Sequence, residues 1–217
     1  MKKGLTELVF ILDKSGSLSG LEADTIGGFN SMLEKQKAVA GECYITTVLF
    51  ANDYELLHDR IDMRGVRFIS AKEYQVGGST ALLDAIGKTI HKVSKAQKNT
   101  DEDYRAEKVL FVIITDGEEN SSREYSAEKI KERVEHKKKK YGWEFILLGA
   151  NIDAVVAAER FGIAVDRAQD FLADGEGLSL SFMVMSETVA MFREDSAIPE
   201  DWNAELQADF RKRGRRK

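Results

Sequence analysis

Cysteine, proline and histidine are scarce in this chain, with one, one and three residues among 217. A single thiol, Cys43, excludes an internal disulfide framework and a cysteine-based zinc knuckle, and its expected place is a small position in the core. No apolar run approaches the roughly 20 residues of a membrane helix, so no membrane partner is expected. The opening MKKGLTELVFILDKSGS has the basic start of a secretory leader, but its apolar stretch runs only from Leu8 to Leu12 before Asp13 ends it. A leader needs roughly 7–15 apolar residues there, so a buried first strand in a cytoplasmic protein is the expectation. Excess positive charge is missing too. The net charge is −5, and the closing RKRGRRK carries six cations, which leaves the rest of the chain at −11. An acidic body argues against nucleic acid as a partner. The basic tail is expected to be a solvated, disordered end. HKKKKYG at 136–142 reads as cations complementing the carboxyl end of a helix.

What is abundant is apolar sequence, 43% of the chain, enough for one large domain with a small appendage. ELVFIL (7–12), KVLFVIIT (108–115) and WEFILLGA (143–150) are apolar without alternation, the mark of strands buried on both faces of a parallel sheet. CYITTVLFAN and YELLHDRI meet at Asn52-Asp53 and predict a hairpin, hence one antiparallel edge strand. Helical spacing links Phe29, Met32 and Leu33, then Leu82, Leu83, Ile86, Ile90 and Val93, and later Leu178, Phe182, Met185, Val189 and Phe192. Residues 126–140 predict an outer helix buried only through Ile130 and Val134. Residues 163–165 (IAV) are expected to form a last short strand. Strands alternating with helices specify an α/β fold, a doubly wound and mostly parallel sheet with helices on both faces. Such sheets bind ligands beyond the carboxyl ends of their strands.

Three loops converge on that edge. FILDKSGSLSG ends the first strand and sets Asp13, Ser15 and Ser17 at alternate positions. VGGSTALLDAIG places Thr80 after two glycines that permit a tight turn. IITDGEEN places Asp116 after a strand. Helix capping explains one such residue but not the surplus. Two carboxylates and three hydroxyls make an all-oxygen set that suits a hard cation, and without His or Cys it argues against zinc.

DKSGS, then GGST, then TDG resembles the metal-ion-dependent adhesion site of the von Willebrand factor A domain family: D-x-S-x-S, a Thr on a second loop and an Asp on a third. The strand–helix order is similar from about residue 5 to about residue 193. The stretch from LGANIDAVVAAERFGI to SFMVMSETVAMFR resembles stand-alone bacterial and phage members less specifically. The resemblance implies such a domain over 1–195, a C-terminal extension over 196–217, and Mg²⁺ (or Mn²⁺) as cofactor. By the same resemblance Ser15 and Ser17 ligate the ion through their hydroxyls, and Thr80 does so directly or through water. Asp13 and Asp116 hold coordinated waters or bind directly. An open position then attracts an acidic residue of a protein partner, with Gly117–Asn120 as the reading rim.

Other chemistries find less support. AIGKTI contains Gly-Lys-Thr, but a phosphate-binding loop needs a glycine where Leu82 stands. A haloacid-dehalogenase-type phosphatase needs a second acid where Ser15 stands. A serine hydrolase needs a base, and His58, His91 and His136 are all expected at the surface, away from the carboxyl edge. The expected function is a non-catalytic, metal-dependent protein-binding module. The alternative is a metal-assisted hydrolase, for which Glu118 and Glu119 are the only nearby bases. The loop's expected exposure further implies that Asp13→Ala leaves the fold intact.

Overall fold

The computed structural model describes residues 1–214. β1 (Lys2–Asp13), β2 (Cys43–Phe50), β3 (Tyr54–Asp62), β4 (Ala106–Thr115), β5 (Glu144–Gly149) and β6 (Ala168–Asp170) form one sheet in the order β3-β2-β1-β4-β5-β6. Every pairing is parallel except β2 with β3, the hairpin that the Asn52-Asp53 turn specifies. Because successive side chains leave a strand on opposite faces, one apolar run feeds two cores. Leu8, Phe10 and Leu12 join α1 (Glu22–Ala38) and α5 (Gly175–Asp195). Val9 and Ile11 join α2 (Leu82–Asn99), α3 (Ala127–Tyr141) and α4 (Ala154–Phe161) on the other face. This is the expected α/β architecture, and it has a consequence for function. The connections reverse direction between β1 and β4, so the crevice of the fold lies where those two strands end.

Three charges inside this frame are matched. Glu7 is fully buried in β1, and its carboxylate accepts Arg60 Nε at 2.8 Å and the Gln97 amide. Arg193 reaches the carbonyls that close α1, including Gln36 at 2.6 Å and Gly41 at 3.2 Å. Lys108 donates to the Arg193 carbonyl at 2.5 Å, at the end of α5. Orphan carbonyls at a helix C-terminus attract cations for this reason.

Three local expectations change. The last strand is Ala168–Asp170 rather than 163–165. Helix α4 ends on Gly162 with φ +75°, and the Ile163 N–H turns back to the Ala158 carbonyl at 2.9 Å. Ile163 is therefore the apolar residue that closes a helix end, not a strand residue. His58 is 5% exposed, not superficial, because the chain after β3 folds back over it. Its Nδ1 lies 3.0 Å from Thr47 Oγ1, and burial lowers its pKa. Arg211–Arg213 are not a free tail but the end of α6 (Ala204–Arg213). Arg213 pairs with Asp174 at 2.7 Å and with Asp209. The last three residues of the basic run, 215–217, lie outside the described residues. Ile198, Trp202 and Leu206 are buried in the same core as Phe182 and Phe192, so the extension contributes to that core. Among the described residues no helix is long and apolar enough to cross a membrane.

Candidate metal centre

The DKSGS loop is shaped by Asp13 itself. Its Oδ1 accepts the Ser15 N–H at 2.7 Å, an aspartate turn, and its Oδ2 accepts Thr115 Oγ1 from β4 at 2.6 Å. Tyr74 Oη donates to the Asp13 carbonyl at 2.5 Å. Asp13 is 2% exposed, so the expectation of an open loop is corrected. Replacing it by Ala would strand a buried N–H and a buried hydroxyl.

From there a chain of hydroxyls crosses the switch point. Ser15 Oγ lies 3.1 Å from Ser17 Oγ, and Ser17 Oγ donates to Asp116 Oδ1, 99 positions later in sequence. The GGST loop is clipped on by backbone bonds, Gly77 N–H to the Lys14 carbonyl at 2.9 Å and Gly16 N–H to the Gly78 carbonyl at 3.0 Å. Gly78 has φ +80°, and a Cβ there would meet Asn52 Oδ1 at 2.0 Å, so glycine is required. Thr80 is buried and exchanges hydrogen bonds with Asn120, N–H to Oδ1 at 2.9 Å and Asn120 N–H to the Thr80 carbonyl at 3.0 Å. Thr80 Oγ1 and Ser17 Oγ lie 3.2 and 3.6 Å from where a Cβ on Gly117 would stand. All five predicted residues therefore meet at one edge.

The third loop is braced against α2. The Glu119 carboxylate accepts the N–H groups of Leu83 (2.8 Å), Ser121 (2.9 Å) and Ser122 (2.7 Å), together with Ser122 Oγ (2.7 Å). Asp84 takes the N–H groups of Arg123, Glu124 and Tyr125. The glycine of the Gly-Lys-Thr triplet has a packing role, since a Cβ on Gly87 would stand 2.4 Å from the Tyr125 ring. The sequence reading missed Tyr74, Thr115 and the bracing roles of Glu119 and Asn120. Thr115 could have been noticed as the neighbour of Asp116; Tyr74 carries no local signal.

Electrostatically the site is unfinished. Asp116 is 1% exposed, and its Oδ2 is buried with no donor among the described residues. Burial pushes its carboxyl up to about 6, against the Ser17 bond and with help from the Asp13 charge. Burial also raises Asp13, despite its bonds from Thr115 and Ser15. Buried acceptors normally find a donor or a cation. The orphaned oxygen, with three hydroxyls and a second carboxylate beside it, fits a hard cation that keeps part of its water. Among the described residues no group of three or more His, Cys, Asp or Glu side chains could hold a metal.

No family model and no curated protein sequence matches the chain. Solved structures do resemble it. A point mutant of the PilB minor pilin from Streptococcus sanguinis superposes with TM-score 0.61 at 11% identity, over 88% of this chain and 63% of that one. A von Willebrand factor type A structure from Catenulispora acidiphila gives 0.58 at 14%, over 85% and 42%. The ArnB paralog VWA2 from Sulfolobus acidocaldarius gives 0.54 at 16%, over 87% and 45%. The chain thus spans between 42% and 63% of the length of these structures. At such identities the likeness concerns fold. The chain has a von Willebrand factor A-like fold, a six-stranded, mostly parallel sheet with one antiparallel edge.

Proposed function

We propose that the protein is a non-catalytic recognition module that docks an acidic side chain of a protein partner through Mg²⁺ (or Mn²⁺). Ser15, Ser17 and Thr80 would hold the ion by their hydroxyls, with Asp13 and Asp116 supplying the negative charge. Bound there, the ion would supply a positive charge with an open position for a carboxylate. The observation that carries this reading is Asp116 Oδ2, buried and without a donor among the described residues, one residue before Gly117, whose Cβ position Ser17 and Thr80 approach. The chain does the rest. Asp13 shapes the loop through the Ser15 N–H, Thr115 fixes the Asp13 carboxylate, and Asn120 ties Thr80 to the third loop. We place the module in the cytoplasm as part of the same reading, since a chain with one buried cysteine does not depend on disulfides for its fold.

The hydrolytic alternative needs a free base in the crevice. Glu119 already accepts four hydrogen bonds, and Glu118 is exposed on the rim. The module is therefore the better supported reading. A pull-down from cell extract with wild type and Asp116→Asn, with and without chelator, tests it. A partner retained only by metal-loaded wild type is expected; retention unchanged by chelator and by Asp116→Asn would overturn it.

A further inference from the structure

At the other end of the strands a cavity of about 280 Å³ opens between the last turns of α2 and α3 and the start of β4. Its apolar wall includes Ala106, Val109 and Trp143, with Tyr141 half-exposed beside them. Its side-chain cations are Lys98, Arg105 and Lys137, and none of the three is in an ion pair among the described residues. The Arg105 side chain spends Nε on the Thr100 carbonyl at 2.7 Å and makes no other hydrogen bond among the described residues. Glu102 and Glu107 are the acids of the rim, and Glu107 already accepts the Gly4 N–H at 2.7 Å.

Lys137 is the anomaly. Among the described residues every other lysine that is buried or half-buried has an ion pair or a hydrogen bond: Lys2, Lys14, Lys37, Lys88, Lys92, Lys108 and Lys138. Lys137 has only aromatic rings, with Nζ 4.6 Å from the Tyr141 centroid and 5.0 Å from that of Trp143. Burial lowers its pKa, and the charges of Lys140 and Arg133 act in the same direction. A partly dehydrated ammonium in a cleft marks a functional candidate when geometry agrees. Trp143 agrees. It is 4% exposed, it lines the cavity, and among the described residues its indole N–H has no hydrogen-bond partner, although the atom is not sealed from solvent. Donors without acceptors surround an apolar wall, the reverse of the imbalance at the metal centre.

We propose that this cavity binds a small organic oxyanion: a phosphate or carboxylate head received by Lys98, Arg105 and Lys137, and a flat apolar body against Ala106, Val109 and Tyr141. The cavity sits near the small end of ligand sites, which fits a single-ring compound. Guanidinium and ammonium groups give charge-assisted hydrogen bonds to such heads, the strong kind.

Phenyl phosphate and benzoate are suitable probes, with inorganic phosphate as the head alone. Only two tryptophans are present, and the Trp202 N–H is already bonded to the Asp166 carbonyl, so ¹⁵N-labelled full-length protein offers a clean pair of indole signals. The Trp143 signal should move saturably with at least one organic probe, while that of Trp202 stays. Whichever organic probe binds more tightly identifies the head group. Lys137→Met should weaken binding by about tenfold, and Lys98→Met, at an exposed position that leaves packing untouched, by about threefold. No saturable shift with either organic probe up to about 10 mM would overturn the proposal, as would wild-type affinity in both variants. Inorganic phosphate binding as tightly as both organic probes would overturn the assignment of an organic ligand.

Discussion

At the carboxyl end of the sheet one buried carboxylate oxygen lacks a donor, whereas at the amino end one half-buried cation lacks an anion, both among the described residues. Among the described residues Asp116 Oδ2 has no donor, and the Lys137 ammonium has only aromatic rings as partners. Glu7 in β1 is buried more completely than either, and Arg60 and Gln97 satisfy it. The chain can therefore match a buried charge where the role is structural. Breaking a matched buried pair costs several kcal/mol, which ties β3 to the sheet. Leaving a charge unmatched at both ends of one sheet lowers the stability of the free protein and stores affinity for a ligand of opposite sign.

The largest expected effect separates the two aspartates of the metal centre. Asp116→Asn should abolish Mg²⁺ or Mn²⁺ binding in titration calorimetry while leaving the loop bonds of Asp13 in place. Asp13→Ala should abolish binding as well, and also lower stability by about 1–3 kcal/mol in denaturant melts, because Thr115 and the Ser15 N–H lose their acceptor. Unchanged metal affinity in Asp116→Asn would break the comparison at its carboxyl end.

Next in size is a pH effect with a definite sign. The Asp116 carboxyl stands at about 6, above its usual 3.8. The metal-free native state then takes up this proton before the unfolded chain does. The group's contribution to stability is complete below about pH 4 and is lost as pH rises through about 6. Wild type without metal should therefore gain stability relative to Asp116→Asn as pH falls from 7 to 5. Metal affinity should drop over the same window, approaching about tenfold per pH unit below 6 as the proton competes. A difference between the two proteins that runs the other way would refute the assignment.

Glu119 tests bracing against chemistry. Glu119→Gln places an amide group among four donors, so a loss of about 1–2 kcal/mol and a few-fold loss in metal affinity are expected. A variant as stable as wild type that has lost a hydrolytic activity would revive the enzyme reading. The smallest effect concerns neither end. Arg213→Ala should cost about 0.2–1 kcal/mol, as partly exposed pairs do, with metal binding unchanged. A larger loss would make the contact between α6 and the start of α5 part of the metal centre's support.

Much was legible locally. Apolar runs at 7–12, 108–115 and 143–150 name central strands because both faces of a parallel sheet are covered, and Asn52-Asp53 names the hairpin. The five oxygen-bearing residues could be picked out because each stands just after a strand or opens a helix, and the fold gathers such positions along one edge. Misreadings arose where a residue's role depends on what lies across from it. Ile163 has the composition of a strand, but Gly162 makes it a helix closure. His58 looks superficial in an edge strand, but the segment after β3 covers it.

By itself the sequence determined the fold class, the order of the elements and the set of oxygens at the crevice, because periodicity and turn chemistry act over a few residues. Only the tertiary structure decided which charges are satisfied. Asp116 is orphaned on one oxygen while Glu7 is not, and Lys137 lacks an anion while Lys108 caps a helix. Those outcomes rest on partners 53 to 99 positions apart in sequence, such as Arg60 for Glu7, Ser17 for Asp116 and the α5 carbonyls for Lys108. Dehydration depends on everything packed around a group, and no local pattern encodes that.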